Sequence, residues 1–149
     1  MSEQLSERSK YLLGILISYM ESLPEEAEKH FNMDHVVRHY GEDEHKLLEG
    51  NITQEKLLGC GTTACAVGWA LSIPLTEFDA LRYELPVVSG IEEDQYVTAS
   101  SFYAYAATFF DLNSTQFKEL FDWSGRLFSA KTPKQWAAGA RELLAEWSK

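Results

Sequence analysis

The chain has 149 residues, of which 45% are hydrophobic, and its formal net charge is −10. This length is typical of one domain, and this hydrophobic content is typical of a folded core rather than of disorder. No segment approaches the ~20 consecutive apolar residues of a membrane span. The sequence also lacks the dense basic footprint of a nucleic-acid-binding protein. We therefore expect no membrane insertion and no direct binding of nucleic acid.

The N-terminal residues lack the basic segment with which a signal peptide begins. The two cysteines are therefore expected to be reduced thiols in a cytoplasmic protein. Residues 1–112 hold 19 acidic and 7 basic side chains, whereas residues 113–149 hold 4 and 6. This acidity serves either solubility or the binding of a basic partner.

The first predicted element is a long helix over residues 9–23. Apolar side chains recur at helical spacing from Tyr11 to Leu23, and Pro24 ends the pattern. The apolar stripe is wide, which favours a central helix over a surface helix. Residues 25–33 are acidic and irregular.

Short elements are predicted in the next part of the chain. The sequence predicts a short helix from Asp34 to Tyr40 and a polar loop over residues 41–52. Thr53 is the predicted cap of another short helix, which ends near Gly59.

The middle of the chain carries one closely packed helix and one extended segment. Residues 62–72 combine a threonine cap with small and apolar side chains. This composition predicts a helix that packs so closely against its neighbours that large side chains are excluded. A short helix is predicted from Thr76 to Tyr83. Residues 84–97 contain proline, β-branched residues and glycine, which predict an extended piece with a turn.

Helical signals return in the last third of the chain. Residues 99–110 show helical spacing of aromatic and small side chains. Asn113 and Gln116 have the spacing of a capping box at the start of a short helix. Thr132, followed by proline, predicts the start of an amphipathic helix over residues 133–147.

Together these elements predict an all-α fold, a compact single-domain helical bundle over residues 1–149 with a short extended segment near 84–97. Trp69 and Trp136 are expected to be buried in its core. The helices expected to form that core are 9–23, 62–72, 99–110 and 133–147.

The most distinctive string runs from Cys60 to Ala70. Its candidate functional residues are Cys60, Gly61, Thr62, Thr63, Cys65, Gly68 and Trp69. A tight turn into a helix N-terminus could hold an anion or lower the pKa of a nearby thiol. Alternatively, the glycines permit close backbone packing and the cysteines are small buried side chains. We favour packing, because no neighbouring residue is an evident base for a thiolate.

This string follows the pattern C-G-T-x-A-C-x-x-G-W-A and resembles that of a loose family of small bacterial and tailed-phage proteins of unassigned function. Other segments similar to that family are 31–34, 110–113, 120–121 and 132–147. The resemblance implies a compact helical fold and a phage or prophage setting. Because the function of that family is unassigned, the resemblance implies no activity for this chain.

A zinc site is a further possibility in the pattern of histidines and cysteines. His35 and His39 would share one face of a helix, and Cys60 and Cys65 have the spacing C-x4-C. Two histidines and two cysteines can bind zinc tetrahedrally. The order and spacing of the pairs match no zinc motif, so we expect no metal and no other cofactor.

Two acidic groups form a candidate interaction surface. They are Glu42, Asp43 and Glu44, together with Glu92, Glu93 and Asp94. Neither group has the spacing of a calcium-binding loop, and adjacent acids are usually a solvated face. No catalytic residue is predicted.

Three functions follow from these patterns. The first is a phage or prophage accessory protein that binds a host protein and performs no catalysis. The second is an acidic mimic of nucleic acid that inhibits a DNA-binding protein. The third is a small thiol-dependent enzyme that uses Cys60 or Cys65.

Overall fold

The computed structural model describes residues 5–33, 37–39, 54–58, 62–81, 106–122 and 125–148. The fold is all-α, as predicted. The α-helices are α1 (Glu7–Ser22), α2 (Gln54–Leu57), α3 (Ala66–Ala70), α4 (Ser114–Phe121) and α5 (Pro133–Trp147). Shorter 3₁₀ helices span Glu25–His30, Thr76–Phe78 and Arg126–Ser129. Residues 79–81 and 106–109 are also helical. Within these ranges, no helix is both long enough and apolar enough to cross a bilayer.

Helix α1 lies at the centre of the described core. Its cap is Ser6, whose side chain accepts a hydrogen bond from the Ser9 backbone N–H, so the helix begins two residues before its predicted start. The buried face of α1 consists of Ser9, Leu12, Leu13, Leu16, Ile17 and Met20. This face packs chiefly against α5, the other long helix of the described part.

Aromatic side chains link α4, α5 and the segment that ends at Phe110. Phe121 of α4 stacks on Trp136 of α5 at 5.6 Å between ring centroids, and on Phe110 at the same distance. The indole N–H of Trp136 donates to the Leu120 carbonyl at 2.8 Å, so this buried polar group is satisfied. Trp69 and Trp136 are both fully buried, which confirms the prediction.

The N-terminal turn of α1 is held against the helical segment that ends near Phe110. The buried Ser9 hydroxyl lies 2.6 Å from the Phe110 carbonyl oxygen and 2.7 Å from that of Asp111. Arg8 donates from Nε to the Phe109 carbonyl at 3.0 Å. Asp111 has a φ of 57°, a left-handed conformation common where helices end. Side chains of α1 thus satisfy carbonyls that the helix end leaves without intrahelical partners.

The structure has a small antiparallel pair of strands where parts of two helices were predicted. Strand β1 (Val37–His39) lies where a helix from Asp34 to Tyr40 was predicted, and it pairs with strand β2 (Thr62–Ala64). The helix predicted over 62–72 is therefore only α3, with Cys65 extended at its N-cap position. The adjacent Thr62 and Thr63 are β-branched and favour a strand once a partner is present.

The other helices follow their sequence signals. The capping box of Asn113 and Gln116 is formed in both directions. Thr132 accepts a hydrogen bond from the Gln135 N–H at the start of α5. Gln54–Leu57 confirms the short helix after Thr53, whereas Thr76 begins a 3₁₀ turn that continues as helix to residue 81. The extended segment predicted near 84–97 lies outside the described residues.

Replacing Trp69 with alanine is expected to destabilise the protein by about 3–5 kcal/mol, since it removes a fully buried ring. The variant Trp69→Phe retains a ring and is expected to lose less. Urea unfolding followed by circular dichroism measures both changes. A loss below about 1 kcal/mol for Trp69→Ala would contradict the core position of this side chain.

The ion pair between α1 and α5 is expected to make stability pH-dependent. Arg141 donates from Nε to Glu21 Oε2 at 2.6 Å and from Nη2 to Oε1 at 2.7 Å. This hydrogen bonding lowers the pKa of Glu21 below its ordinary value. A carboxyl whose pKa is depressed by folding stabilises the protein above its unfolded pKa, and that stabilisation is lost as the pH falls through the folded pKa.

We therefore expect Glu21→Gln to lower stability slightly at pH 7 and to reduce the loss of stability between pH 5 and pH 3. Arg141→Met should give the same flattened profile, because it removes the other partner. Urea midpoints measured across this pH range test the effect. A steeper profile in either variant would contradict it.

Candidate functional site

The Cys60–Ala70 string forms part of the core in the region that is described. Thr62 and Thr63 lie in β2, and Cys65, Gly68 and Trp69 are buried in or beside α3. Cys60 and Gly61 lie outside the described residues. The Trp69 indole N–H donates to the His30 carbonyl at 3.2 Å, which ties α3 to the 3₁₀ helix Glu25–His30. These contacts fit the packing interpretation of the string.

The thiol of Cys65 has no exposed surface, so a substrate cannot reach it without movement of the surrounding core. It occupies the N-cap position of a helix of only five residues, too short for an anion site at its start. Cys65 therefore fits the interpretation as a small buried side chain better than that of a nucleophile.

The proposed pairing of His35 and His39 on a helix is wrong. His39 belongs to strand β1, in which residues four positions apart do not stack as they do on a helix turn. His35 lies outside the described residues. The described ranges contain no group of three or more His, Cys, Asp or Glu side chains placed to bind a metal ion.

The candidate acidic surface also lies outside the described ranges. It comprises Glu42, Asp43, Glu44, Glu92, Glu93 and Asp94. The prediction that these carboxylates form an interaction surface is therefore not tested by the described residues.

A groove between α1 and the segment after α3 is the candidate site that the structure adds. Its volume is about 710 Å³. Its lining residues are Tyr11, Gly14, Ile15, Ser18, Tyr19, Ser22, Ile73, Pro74 and Leu75. The described chain exposes two large hydrophobic side chains, Tyr11 at 55% and Leu75 at 40%, and both line this groove. A cleft of this volume that is lined mainly by apolar and aromatic side chains is a candidate binding site.

Tyrosine hydroxyls connect the two walls of the groove. Tyr11 donates to Glu77 Oε2 at 2.7 Å, and Tyr19 Oη lies 2.6 Å from Ser72 Oγ. The first bond raises the pKa of the Tyr11 phenol and lowers that of the Glu77 carboxyl. Gln54 of α2 also donates to Tyr19 Oη at 3.2 Å. The two tyrosines thus set the spacing between α1 and residues 72–77.

Gly14 lies in the floor of the groove, in the interior of α1. Glycine there costs a helix roughly 0.5–1 kcal/mol relative to alanine. Close packing often explains such a glycine, but a Cβ added to Gly14 would meet nothing within 4 Å in the described part of the molecule. The described core therefore does not need glycine at this position, whereas an occupant of the groove would gain close access to the α1 backbone.

The apolar stripe of α1 includes side chains of the groove as well as side chains of the core. The wide apolar stripe of α1 predicts a central helix. In the structure, Leu12, Leu16 and Met20 are buried, whereas Tyr11 is exposed and Tyr19 is only partly buried. The stripe is therefore wider than the face that packs in the core. Its remaining side chains form a second face, which lines the groove and also carries Gly14.

Comparison of the chain with protein-family models, with curated proteins and with solved structures found no match. The resemblance of the Cys60–Ala70 string to a family of bacterial and tailed-phage proteins therefore stays a prediction.

The variant Gly14→Ala is expected to stabilise the protein by about 0.5–1 kcal/mol, because alanine favours the helix and its Cβ meets no atom of the described residues within 4 Å. Gly125→Ala is the contrasting variant. Its Cβ would collide with the Lys118 carbonyl oxygen, so it is expected to destabilise the protein. Chemical unfolding measures both. A clear loss of stability in Gly14→Ala would show that the groove floor is not open.

Proposed function

We propose that this chain is an accessory protein that acts by binding another protein and performs no catalysis. The observation that carries the proposal is the groove, in which Tyr11 and Leu75, the exposed large hydrophobic side chains of the described residues, lie together. A protein that covers this groove would remove their apolar surface from water, at roughly 25 cal/mol per Å².

The walls of the groove are held in place before a partner arrives. The bonds from Tyr11 to Glu77 and between Tyr19 and Ser72 join side chains that are far apart in the sequence. A partner that binds a surface already ordered in this way loses less free energy to the ordering of loops and side chains. The groove therefore supports recognition by a protein better than a flat apolar face would.

We assign the chain to a phage or prophage setting, with a protein of the bacterial host as its partner. This part of the proposal rests on the resemblance of the Cys60–Ala70 string. The thiol-enzyme alternative gains no support at Cys65, which is fully buried. The nucleic-acid mimic rests on the net charge of −12 that residues 1–112 carry, from 19 acidic and 7 basic side chains.

Affinity capture from bacterial lysate tests the proposal with two matched variants. Ser18 lies exposed in the groove, and Ala138 is an exposed small residue on α5 that does not line it. Ser18→Arg places a long charged side chain across the groove floor, whereas Ala138→Arg makes a comparable change elsewhere. We expect a host protein that is captured by the wild type and by Ala138→Arg, and at least tenfold less by Ser18→Arg.

Equal melting temperatures of the two variants would show that both remain folded. Capture of the same proteins in equal amounts by all three chains would contradict a role for the groove. The absence of any specifically captured protein would contradict the proposed function.

A further inference from the structure

A second cleft lies between the segment that follows the 3₁₀ helix Glu25–His30 and the end of the 3₁₀ helix Arg126–Ser129. Its volume is about 510 Å³, within the range of about 300–1,000 Å³ that is typical of small-molecule sites. Its lining residues are Phe31, Asn32, Met33, Phe128, Ser129, Ala130 and Lys131. None of them lines the groove beside α1, so the cleft is a separate feature of the surface.

Hydrogen bonds of the backbone hold both walls of the cleft. On one side, the Asn32 N–H donates to the carbonyl of Ala64 in β2 at 2.9 Å. On the other side, the Lys131 N–H donates to the side-chain oxygen of Gln135 in α5 at 2.7 Å. A ligand therefore meets walls that are already ordered, which reduces the free energy lost on binding.

The lining of the cleft combines an apolar base with a polar edge. Phe31 and Met33 are buried and Phe128 is partly buried, so these side chains offer apolar contact to a ligand. Ser129 and Lys131 are exposed. Such a lining suits a molecule that has an apolar body and one polar end.

The charge of the cleft comes from one lysine. Among the described residues that line it, Lys131 is the only charged one. The ammonium of Lys131 forms no ion pair with a carboxylate of the described residues. Because a lysine side chain is long and flexible, its ammonium can reach a ligand from the edge of the cleft. In a chain with a net charge of −10, a cleft lined by one cation and by no described carboxylate favours an anion.

We infer that this cleft binds a small organic anion, with an apolar body against Phe31, Met33 and Phe128 and a carboxylate or phosphate beside Lys131. The body is stabilised by leaving water for the apolar side chains. The anionic group pairs with the Lys131 ammonium and accepts a hydrogen bond from the Ser129 hydroxyl. Because Lys131 is exposed, salt weakens this pairing. The inference concerns a different surface from the groove and goes beyond the proposed function.

Three compounds with the same aromatic body test the inference. They are naphthoate, naphthyl phosphate and the neutral naphthamide. Their titration into the isotope-labelled chain, followed by backbone amide chemical shifts, gives both the affinity and the place of binding. Ligands of this size are expected to bind with a Kd on the order of 0.1–1 mM.

We expect the anions to shift the amides of residues 31–33 and 128–131, and naphthamide to bind about 3- to 5-fold more weakly. The anion that binds more tightly identifies the natural ligand class as carboxylates or as phosphate monoesters.

A pair of lysine variants measures the contribution of the charge. Lys131→Met removes the ammonium and keeps an unbranched side chain, so it is expected to weaken binding of the anions about 3- to 5-fold at low salt and less at high salt. The affinity for naphthamide should not change. Lys118→Met makes the same change at an exposed lysine of α4 that does not line the cleft, and it is expected to leave all three affinities unchanged.

Four results would overturn the inference. Two of them are equal affinities of naphthamide and the anions, and equal affinities of the wild type and Lys131→Met for the anions. The third is a set of shifts centred on residues 11–22 and 73–75, which would place binding in the groove. The fourth is the absence of saturable shifts with either anion. None of these results affects the capture of a host protein at the groove, which Ser18→Arg tests separately.

Discussion

The burial of α1 is the constraint on which the rest of the described structure depends. One face of this helix packs into the core with no more than 1% exposure for Leu12, Leu13, Leu16, Ile17 and Met20. Polar contacts then fix its position. Ser9 satisfies carbonyls at the end of the 106–111 segment, and Glu21 binds Arg141 of α5 through two hydrogen bonds. Because a buried apolar face does not by itself fix the rotation or translation of a helix, these directional contacts complete its placement.

The position of α1 in turn places the groove. With its leucines and Ile17 turned to the core, Tyr11, Gly14 and Ser18 lie on the side of α1 that faces residues 73–75. The two tyrosine hydroxyls reach across to Glu77 and Ser72, so the second wall is tied to the first. The groove is thus a consequence of how the core is packed. The same packing explains why the apolar stripe of α1, which is too wide for one buried face, divides between the core and the surface.

The string from Cys60 to Ala70 contributes to the fold by a different route. Its first part enters a strand pair with residues 37–39, and its second part forms the short buried helix α3. Small residues suit both tasks, since a strand and a helix meet here with Cys65 fully buried between them. A string can therefore be distinctive in sequence because its surroundings are crowded, without being exposed to a substrate.

The sequence by itself determined the elements whose signals are local. The capping box of Asn113, the Thr132-Pro133 start of α5 and the apolar periodicity of α1 each depend on residues within one or two turns, so the all-α class and these helices could be predicted. The strands β1 and β2 could not, because their backbone hydrogen bonds join segments separated by more than twenty residues, and this pairing outweighed the helical preference assigned to each.

Tertiary structure alone also decided the candidate site. Periodicity shows that α1 is apolar on many sides, but only the positions of α5 and of residues 73–75 determine which side is covered and which remains open.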